Sequence, residues 1–482
     1  MIDNSNENIR SSLTENEQVG NSIYSDITNN DNRCSSNENN NLMADEDIMV
    51  KEDQSSEEER ISFFGIFSDS KFCSIINLIA SAIGGGCFNF PSILSQIGLP
   101  LTGIIYIFVS VCIYYIVDLL RNFIVDTKFF SFAGMTFETL GKNWLLIYTF
   151  CSLVFYLSVE INYLSLIYSI TSKSIDFHNN NEILLNIIYF FITIPVEIFI
   201  CSYISKIKRI HLFSLLSCLL FIIILLIILL QGFINIVKGP GDKLHHDKII
   251  SPKINNKSEY FFEIMSFIVE FLYGYSYNSS YPTLLSNLKP LDNRTTKIVH
   301  NISFIFIFLS YFIITFFGFF LKTSMYDILL INDNKDQNEI SKGALTTLFR
   351  IFLCLFLFSV IPIRYIVIKD DVNSVFTNFK FKENLILVFV CIIFCNLIAY
   401  LTSESIIKFN IATNFTELFG GIFGVIISFI LPAINYAAAN GKRKFRSIIG
   451  YILSAIFLII GLLSVGYSIY GLYIKNDFKN KN

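Results

Sequence analysis

Three acidic side chains stand inside otherwise apolar stretches of this sequence: Glu160 in "YLSVEINYL", Glu197 two residues after Pro195, and Glu270 in "FIVEFLYGYSYNSSYP". A charged side chain at the centre of a bilayer costs about 2.5–3.5 kcal/mol on insertion scales, so an acid kept there is a functional candidate by default. The chemistry open to it is reversible protonation, because desolvation disfavours the charged form of a carboxyl and brings its titration nearer to neutral pH. Glu270, one helical turn before a run of polar residues, is the preferred proton carrier, and Glu160 is the next. Glu197, near the end of its apolar run, is expected to snorkel or to cap. The plainer alternative for Glu270 is a carboxyl merely hydrogen-bonded between helices.

A second kind of chemistry belongs to the backbone. The stretch "NLIASAIGGGCFNFPS", residues 77–92, is apolar enough for a buried helix, yet Gly84, Gly85 and Gly86 stand at its centre. Glycine gives up the most chain freedom in a helix and packs nothing, so three in a row invite unwinding. Bare N–H and C=O groups inside a membrane are tolerated only where protein or a wet cavity satisfies them. The triplet is therefore either a close-packing seam or the floor of a binding site.

These residues need apolar helices to position them, and the composition supplies them. The chain has 482 residues, 53% hydrophobic and only 16% charged, with 50 Phe and a mean hydropathy of +0.56. Soluble domains carry about 25% charged residues. Apolar runs of about 20 residues, the length that spans the hydrocarbon core, recur along the chain. Eleven spans are expected, near 72–98, 101–121, 144–170, 183–203, 211–237, 260–287, 299–321, 344–367, 385–403, 412–438 and 447–473. The fold class is thus an all-α polytopic membrane protein with a transmembrane domain over 71–473. Residues 1–70, rich in Asn, Ser and acid, cannot bury enough surface to offset their chain entropy and are expected to form a disordered cytosolic tail. A short C-terminal tail over 474–482 completes the chain. Clusters such as Lys206, Lys208 and Arg209, or Lys442, Arg443, Lys444 and Arg446, together with Arg121 and Arg364, are assigned to inner loops, which places the N-terminus in the cytosol. The five histidines are assigned to loops and span ends, and no CxxC pair occurs, so neither an enzyme centre nor a metal site is expected.

One other span is interrupted. "FIVEFLYGYSYNSSYPTLLSNLKP", residues 267–290, begins apolar and then gives Gly274, Tyr275, Ser276, Tyr277, Asn278, Ser279, Ser280, Tyr281 and Pro282. Pro282 lacks an N–H and clashes one turn back, so the helix must kink or open before it. The first and sixth spans are then both broken near mid-depth, five apart. Paired interruptions in corresponding positions are the sequence mark of an inverted-repeat transporter with its site at the midplane.

Here the residues also carry a resemblance. "NLIASAIGGGCFNFP", "SYPTLLSNLKP", "SVIPIRYIV" at 359–367 and "TELFGGIFGVIISFILPAI" at 416–434 occur in the order of the first-, sixth-, eighth- and tenth-span motifs of the amino acid/auxin permease family, which the chain resembles over about residues 70–473. The resemblance implies eleven helices in the leucine-transporter-type 5+5 inverted repeat, with helices 1 and 6 broken. It implies secondary active transport of an amino acid with Na⁺ or H⁺, in the lipid bilayer, without nucleic acid and as a monomer. In such a site the half-helix that starts near Cys87 aims its N–H groups and positive dipole end at the cavity. The backbone of Ala82, Ile83, Gly84, Gly85 and Gly86 then holds the substrate carboxylate. Carbonyls freed in either broken helix accept from its ammonium, while Tyr275, Ser276, Tyr277 and Asn278 shape the pocket for small or medium neutral side chains.

Sodium-coupled relatives use an Asn in the first span and a Thr in the eighth as ion ligands. Those positions fall here on Ala80 and among Cys354, Leu355 and Phe356, where no side-chain oxygen is available. No cofactor is expected, and H⁺ is preferred over Na⁺ as the coupling ion. An amino-acid-sensing receptor that keeps the fold, and a sodium-coupled or facilitative carrier, are the alternatives. Plasma membrane and a vacuolar or endolysosomal membrane both remain open as the location.

Overall fold

Apolar side chains on a helix in lipid need no inward face, so the helices can be apolar all round and still show which side packs. The computed structural model describes residues 70–174, 193–199, 201, 210–237, 257–275, 277–286, 288–320, 344–375, 381–403, 419–439 and 444–479, all within the unit Phe67–Asn482. Every regular element among them is helical: α1 (Ser70–Ala82), a 3₁₀ turn (Gly85–Asn89), α2 (Phe90–Ile97), α3 (Leu99–Thr127), α4 (Phe132–Leu140), α5 (Lys142–Ser174), a turn over 193–199, α6 (Ile210–Val237), α7 (Lys257–Gly274), α8 (Tyr281–Leu285), α9 (Asn293–Phe319), α10 (Ala344–Val375), α11 (Phe381–Ser403), π segments Gly420–Gly424 and Ile426–Ile430, α12 (Leu431–Ala439) and α13 (Lys444–Lys479).

Among the described residues, seven helices are long and apolar enough to cross a membrane, and α1 and Val388–Ala399 are shorter apolar stretches. The first expected span falls short of that length because it is divided after Ala82, while α7 of the sixth, 18 residues ending at Gly274, carries Lys257, Glu259, Glu263 and Glu270. Most of the fourth expected span, and the N-terminal tail, lie outside the described residues. On α6, Leu212, Leu216, Leu219, Ile223, Leu226 and Leu230 form an exposed apolar stripe at helical spacing, the face such a helix presents to hydrocarbon. This is an integral membrane protein.

Local signals explain the joints. Gly98 and Gly141 take φ of 92° and 85° between α2 and α3 and between α4 and α5, a backbone region that glycine enters without strain. Ser131 caps α4 by accepting from the Gly134 N–H, and Asp292 caps α9 by accepting from the Thr295 N–H at 2.7 Å. Helix α10 packs on α5 and α6, α11 on α5, and α9 on α1 and α6.

Four expectations change. Arg364, assigned to an inner loop, lies buried within α10, which runs on to Val375. Arg121 sits in the last turns of α3, where it pairs with Asp118 at 2.8 Å and donates to Asn293, instead of lying free in a loop. His300 lies two turns inside α9, buried and stacked on Tyr114 with ring centroids 4.9 Å apart. Helix α13 continues to Lys479, into the segment expected to be a tail.

Candidate functional site

The first break begins where α1 ends at Ala82. Ile83 still donates its N–H to the Ile79 carbonyl at 3.0 Å, and then Gly84 leaves the helix with φ −141° and ψ 172°, an extended conformation open to any residue. What requires glycine here is space. A Cβ on Gly84 would stand 1.8 Å from the Tyr163 hydroxyl oxygen and 3.2 Å from a terminal nitrogen of Arg364. The close approach expected at the glycines is thus made by protein groups at Gly84. At Gly86 a Cβ would meet only Tyr273, at 3.5 Å, an ordinary contact.

The second break begins where α7 ends at Gly274. Tyr275 closes the last turn, Tyr277 donates its N–H to the Tyr275 carbonyl at 2.8 Å, and the chain re-enters a helix only at Tyr281. Pro282 stands in the first turn of α8, where its missing N–H costs nothing.

One side chain joins the two breaks. The Tyr311 hydroxyl, on α9, lies 2.8 Å from the Ala82 carbonyl oxygen and 2.6 Å from the Gly274 carbonyl oxygen. Both acceptors are helix-end carbonyls that would otherwise face the apolar interior, and a tyrosine has a single proton to donate. Of the residues expected to line the site, Tyr275 meets this point. Tyr275 packs edge-on against Tyr311, with ring centroids 4.9 Å apart, and its hydroxyl is 3.3 Å from that of Ser110. Asn278 donates its amide to the Ser428 carbonyl at 2.8 Å, which ties the second break to the π segment Ile426–Ile430. Tyr277 is buried with no hydrogen-bond partner on its hydroxyl. Ser279 bonds to the Tyr156 hydroxyl, and Ser276 lies outside the described residues.

The charges are distributed differently from the expectation. Glu270 is buried on α7, one turn before the break. Glu160 and Glu197 are each only 1% exposed. Glu197 neither snorkels nor caps: it accepts from the Asn396 amide at 2.7 Å. Arg364, 5% exposed, donates to the Tyr163 hydroxyl at 2.6 Å, and its guanidinium carbon lies 4.9 Å from that ring's centroid. Sequence reasoning passed over Tyr163 and Tyr311, and gave Arg364 to an inner loop and Glu197 to a snorkelling or capping role. The signal for Arg364 was present, a cation between "SVIPI" and "YIVI" in one apolar run. The tyrosines carried none, being two among 24.

The positions matching the sodium ligands of relatives offer no oxygen from their side chains. Ala80 is buried, Leu355 is 50% exposed on the outer side of α10, and Phe356 is buried against Phe221. Of the neighbouring polar groups, the Asn77 amide nitrogen bonds to His211 at 2.8 Å while its buried Oδ1 has no hydrogen-bond partner, and the Ser81 hydroxyl donates to the Leu78 carbonyl at 2.9 Å.

The profile of a family described as transmembrane amino acid transporter protein matches residues 68–474. Comparison with curated proteins gives no match. Among solved structures, the manganese transporter of Eremococcus coleocola, crystallised in complex with an aromatic bis-isothiourea substituted compound, is similar with a TM-score of 0.57 at 12% identity, over 86% of this chain and 89% of that one. A Na⁺-coupled sialic acid symporter in its substrate-bound outward-open state gives a TM-score of 0.47 at 12% identity, over 82% and 90% of the two chains. The likeness to the manganese transporter is one of fold.

Proposed function

This chain belongs to the transmembrane amino acid transporter family, and on that premise we propose that it is a secondary active, proton-coupled carrier of small or medium neutral amino acids that works by alternating access. As a transporter it relocates its substrate and does no covalent chemistry on it. The reading includes eleven transmembrane helices in a 5+5 inverted repeat, a monomer, and a cytosolic N-terminus in a plasma or vacuolar/endolysosomal membrane.

The observation that carries it is the meeting of two interrupted helices, α1–α2 and α7–α8, at one hydroxyl. A carrier of this kind needs backbone freed at mid-depth in two elements that can move apart. In the proposed cycle the substrate carboxylate sits on the backbone of Ala82 to Gly86, its ammonium on the freed carbonyls, and its side chain against Tyr275, Tyr277 and Asn278. The proton comes through a buried acid, with Glu270 and Glu160 as the two carriers to compare. The alkyl groups at Ala80, Leu355 and Phe356 speak against a tight Na⁺ site, which needs several hard oxygen ligands.

Uptake in proteoliposomes tests the reading directly. A mixture of labelled amino acids should enter when a pH gradient is imposed, with equal rates in Na⁺, K⁺ and choline. Binding without any flux would convert the assignment to a receptor, and dependence on Na⁺ would overturn proton coupling.

A further inference from the structure

We propose that Glu160 and Glu197 form a proton-binding pair whose counter-charge, Arg364, is shared with the first break at Gly84, so that a proton at the pair and a carboxylate at the break bind together. The proposal rests on the proton-coupled reading above and assigns its coupling site.

The two acids come from different elements, α5 and the helical segment 193–199, and α11 joins them: its Asn396 holds Glu197 at 2.7 Å, and the adjacent Cys395 thiol lies 3.9 Å from the Leu157 carbonyl, one turn before Glu160. Each has one carboxylate oxygen, Oε1, that is buried and has no hydrogen-bond partner, while the other oxygen of Glu197 is held by Asn396. The groups that face them are Arg364 and Tyr365 from α10, Cys395 and Asn396 from α11, and Cys201. Arg364 is the cation of this set. Its guanidinium also reaches the first break, through the hydrogen bond to the Tyr163 hydroxyl that crowds Gly84, and its Nε donor has no acceptor. A guanidinium has five N–H donors, so this buried one retains capacity for an anion.

Two anionic carboxylates in a medium of low dielectric repel strongly, and one proton held between them relieves the repulsion. The remaining negative charge is matched by Arg364. A carboxylate arriving at Gly84 competes for the same guanidinium and withdraws part of the counter-charge from the pair. The pair then takes a second proton from water on the open side, which neutralises it. No other bond forms or breaks. Because coupling between two binding events is reciprocal, protonation of the pair releases Arg364 to the substrate by the same factor.

The test uses full-length protein in proteoliposomes with the labelled amino-acid mixture. When one proton moves with each substrate, a gradient of about one pH unit can sustain about tenfold accumulation. Glu160→Gln and Glu197→Gln combined in one chain, which mimic the fully protonated pair, should bring the accumulation ratio to one, with counterflow still measurable and no longer dependent on pH. Glu160→Asp and Glu197→Asp, which retain an acid of shorter reach, should restore accumulation with a shifted pH profile. A wild type that moves amino acids yet ignores pH removes the proton-coupled reading and the pair together. A wild type driven by pH, with the double glutamine variant driven equally well, overturns the pair alone. Where a glutamine variant fails to reach the membrane, the aspartate variant decides, and an unshifted profile overturns the proposal.

Discussion

At Gly84 a single hydrogen atom occupies the place where any other residue would put a carbon against Tyr163 and Arg364. The two glycines around the break therefore differ in what they tolerate. Gly84→Ala should abolish uptake or reduce it at least tenfold in protein of normal membrane abundance, because an added carbon must displace a buried hydrogen-bonded pair, at about 1–3 kcal/mol for overpacking. Gly86→Ala meets only an ordinary contact with Tyr273 and should retain most of the wild-type rate. Equal rates for the two variants would refute the steric account. Tyr311 gives a second measurement at this scale. Tyr311→Phe keeps the ring packing against Phe90 and Tyr275 but leaves two buried carbonyls without a donor. It should lower stability by about 1–3 kcal/mol in a thermal-shift or denaturant series. A variant as stable as the wild type would mean that other groups already satisfy those carbonyls.

Among the elements, α9 carries the joint between the two breaks, and its start is held by one carboxylate. Hydrogen bonds from Thr295, by its side chain and its backbone N–H, hold the Asp292 carboxyl below its ordinary value of 3.8. A carboxyl whose value is depressed on folding contributes stability above its unfolded value and loses it as pH falls through the folded one. The start of α9 should accordingly be insensitive to pH near neutrality and loosen only below about pH 4, visible as faster amide exchange at Thr295. Asp292→Asn keeps a capping side chain and should remove that acid sensitivity; if the acid step persists, another group is responsible. The π segments are the other informative element. Wider turns misalign carbonyls and leave them open to outside donors, and here Ser428 accepts from Asn278 while Phe429 accepts from Ser454. The second break is thereby tethered to the chain before α12.

For the whole molecule, orientation is the property most open to a simple test. Asn256 stands in a sequon of the proposed outer loop, and Asn293 in one at the proposed inner end of α9. In a glycosylating host only Asn256 should carry glycan; glycan on Asn293 would invert the topology. The two interruptions were legible in the sequence because glycines, and then a polar run ending in Pro282, break an otherwise continuous apolar pattern. Their meeting was not, because it depends on Tyr311, which local pattern cannot distinguish from any other tyrosine. Arg364 was misassigned for a related reason. Loop assignment by positive charge treats every Lys and Arg near a span end as surface, whereas α10 continues past residue 367 and buries the guanidinium against Tyr163, one turn from Glu160 on α5. Helix α4 went unnoticed as well: nine residues, too short to span, and marked mainly by the Ser131 cap.

The Tyr311 hydroxyl has consequences for chemical selectivity. Two carbonyls, each with two lone pairs, converge on one phenolic proton, so the junction is short of donors. A compound bearing a carboxylate alone brings only acceptors and deepens that shortage. A protonated amine brings three N–H groups and can satisfy both oxygens at once. In the proposed cycle the junction filters by proton supply. Amines should be retained, their 2-oxo analogues, alike in size and shape, should pass unrecognised, and 2-hydroxy analogues, with one O–H to donate, should fall between.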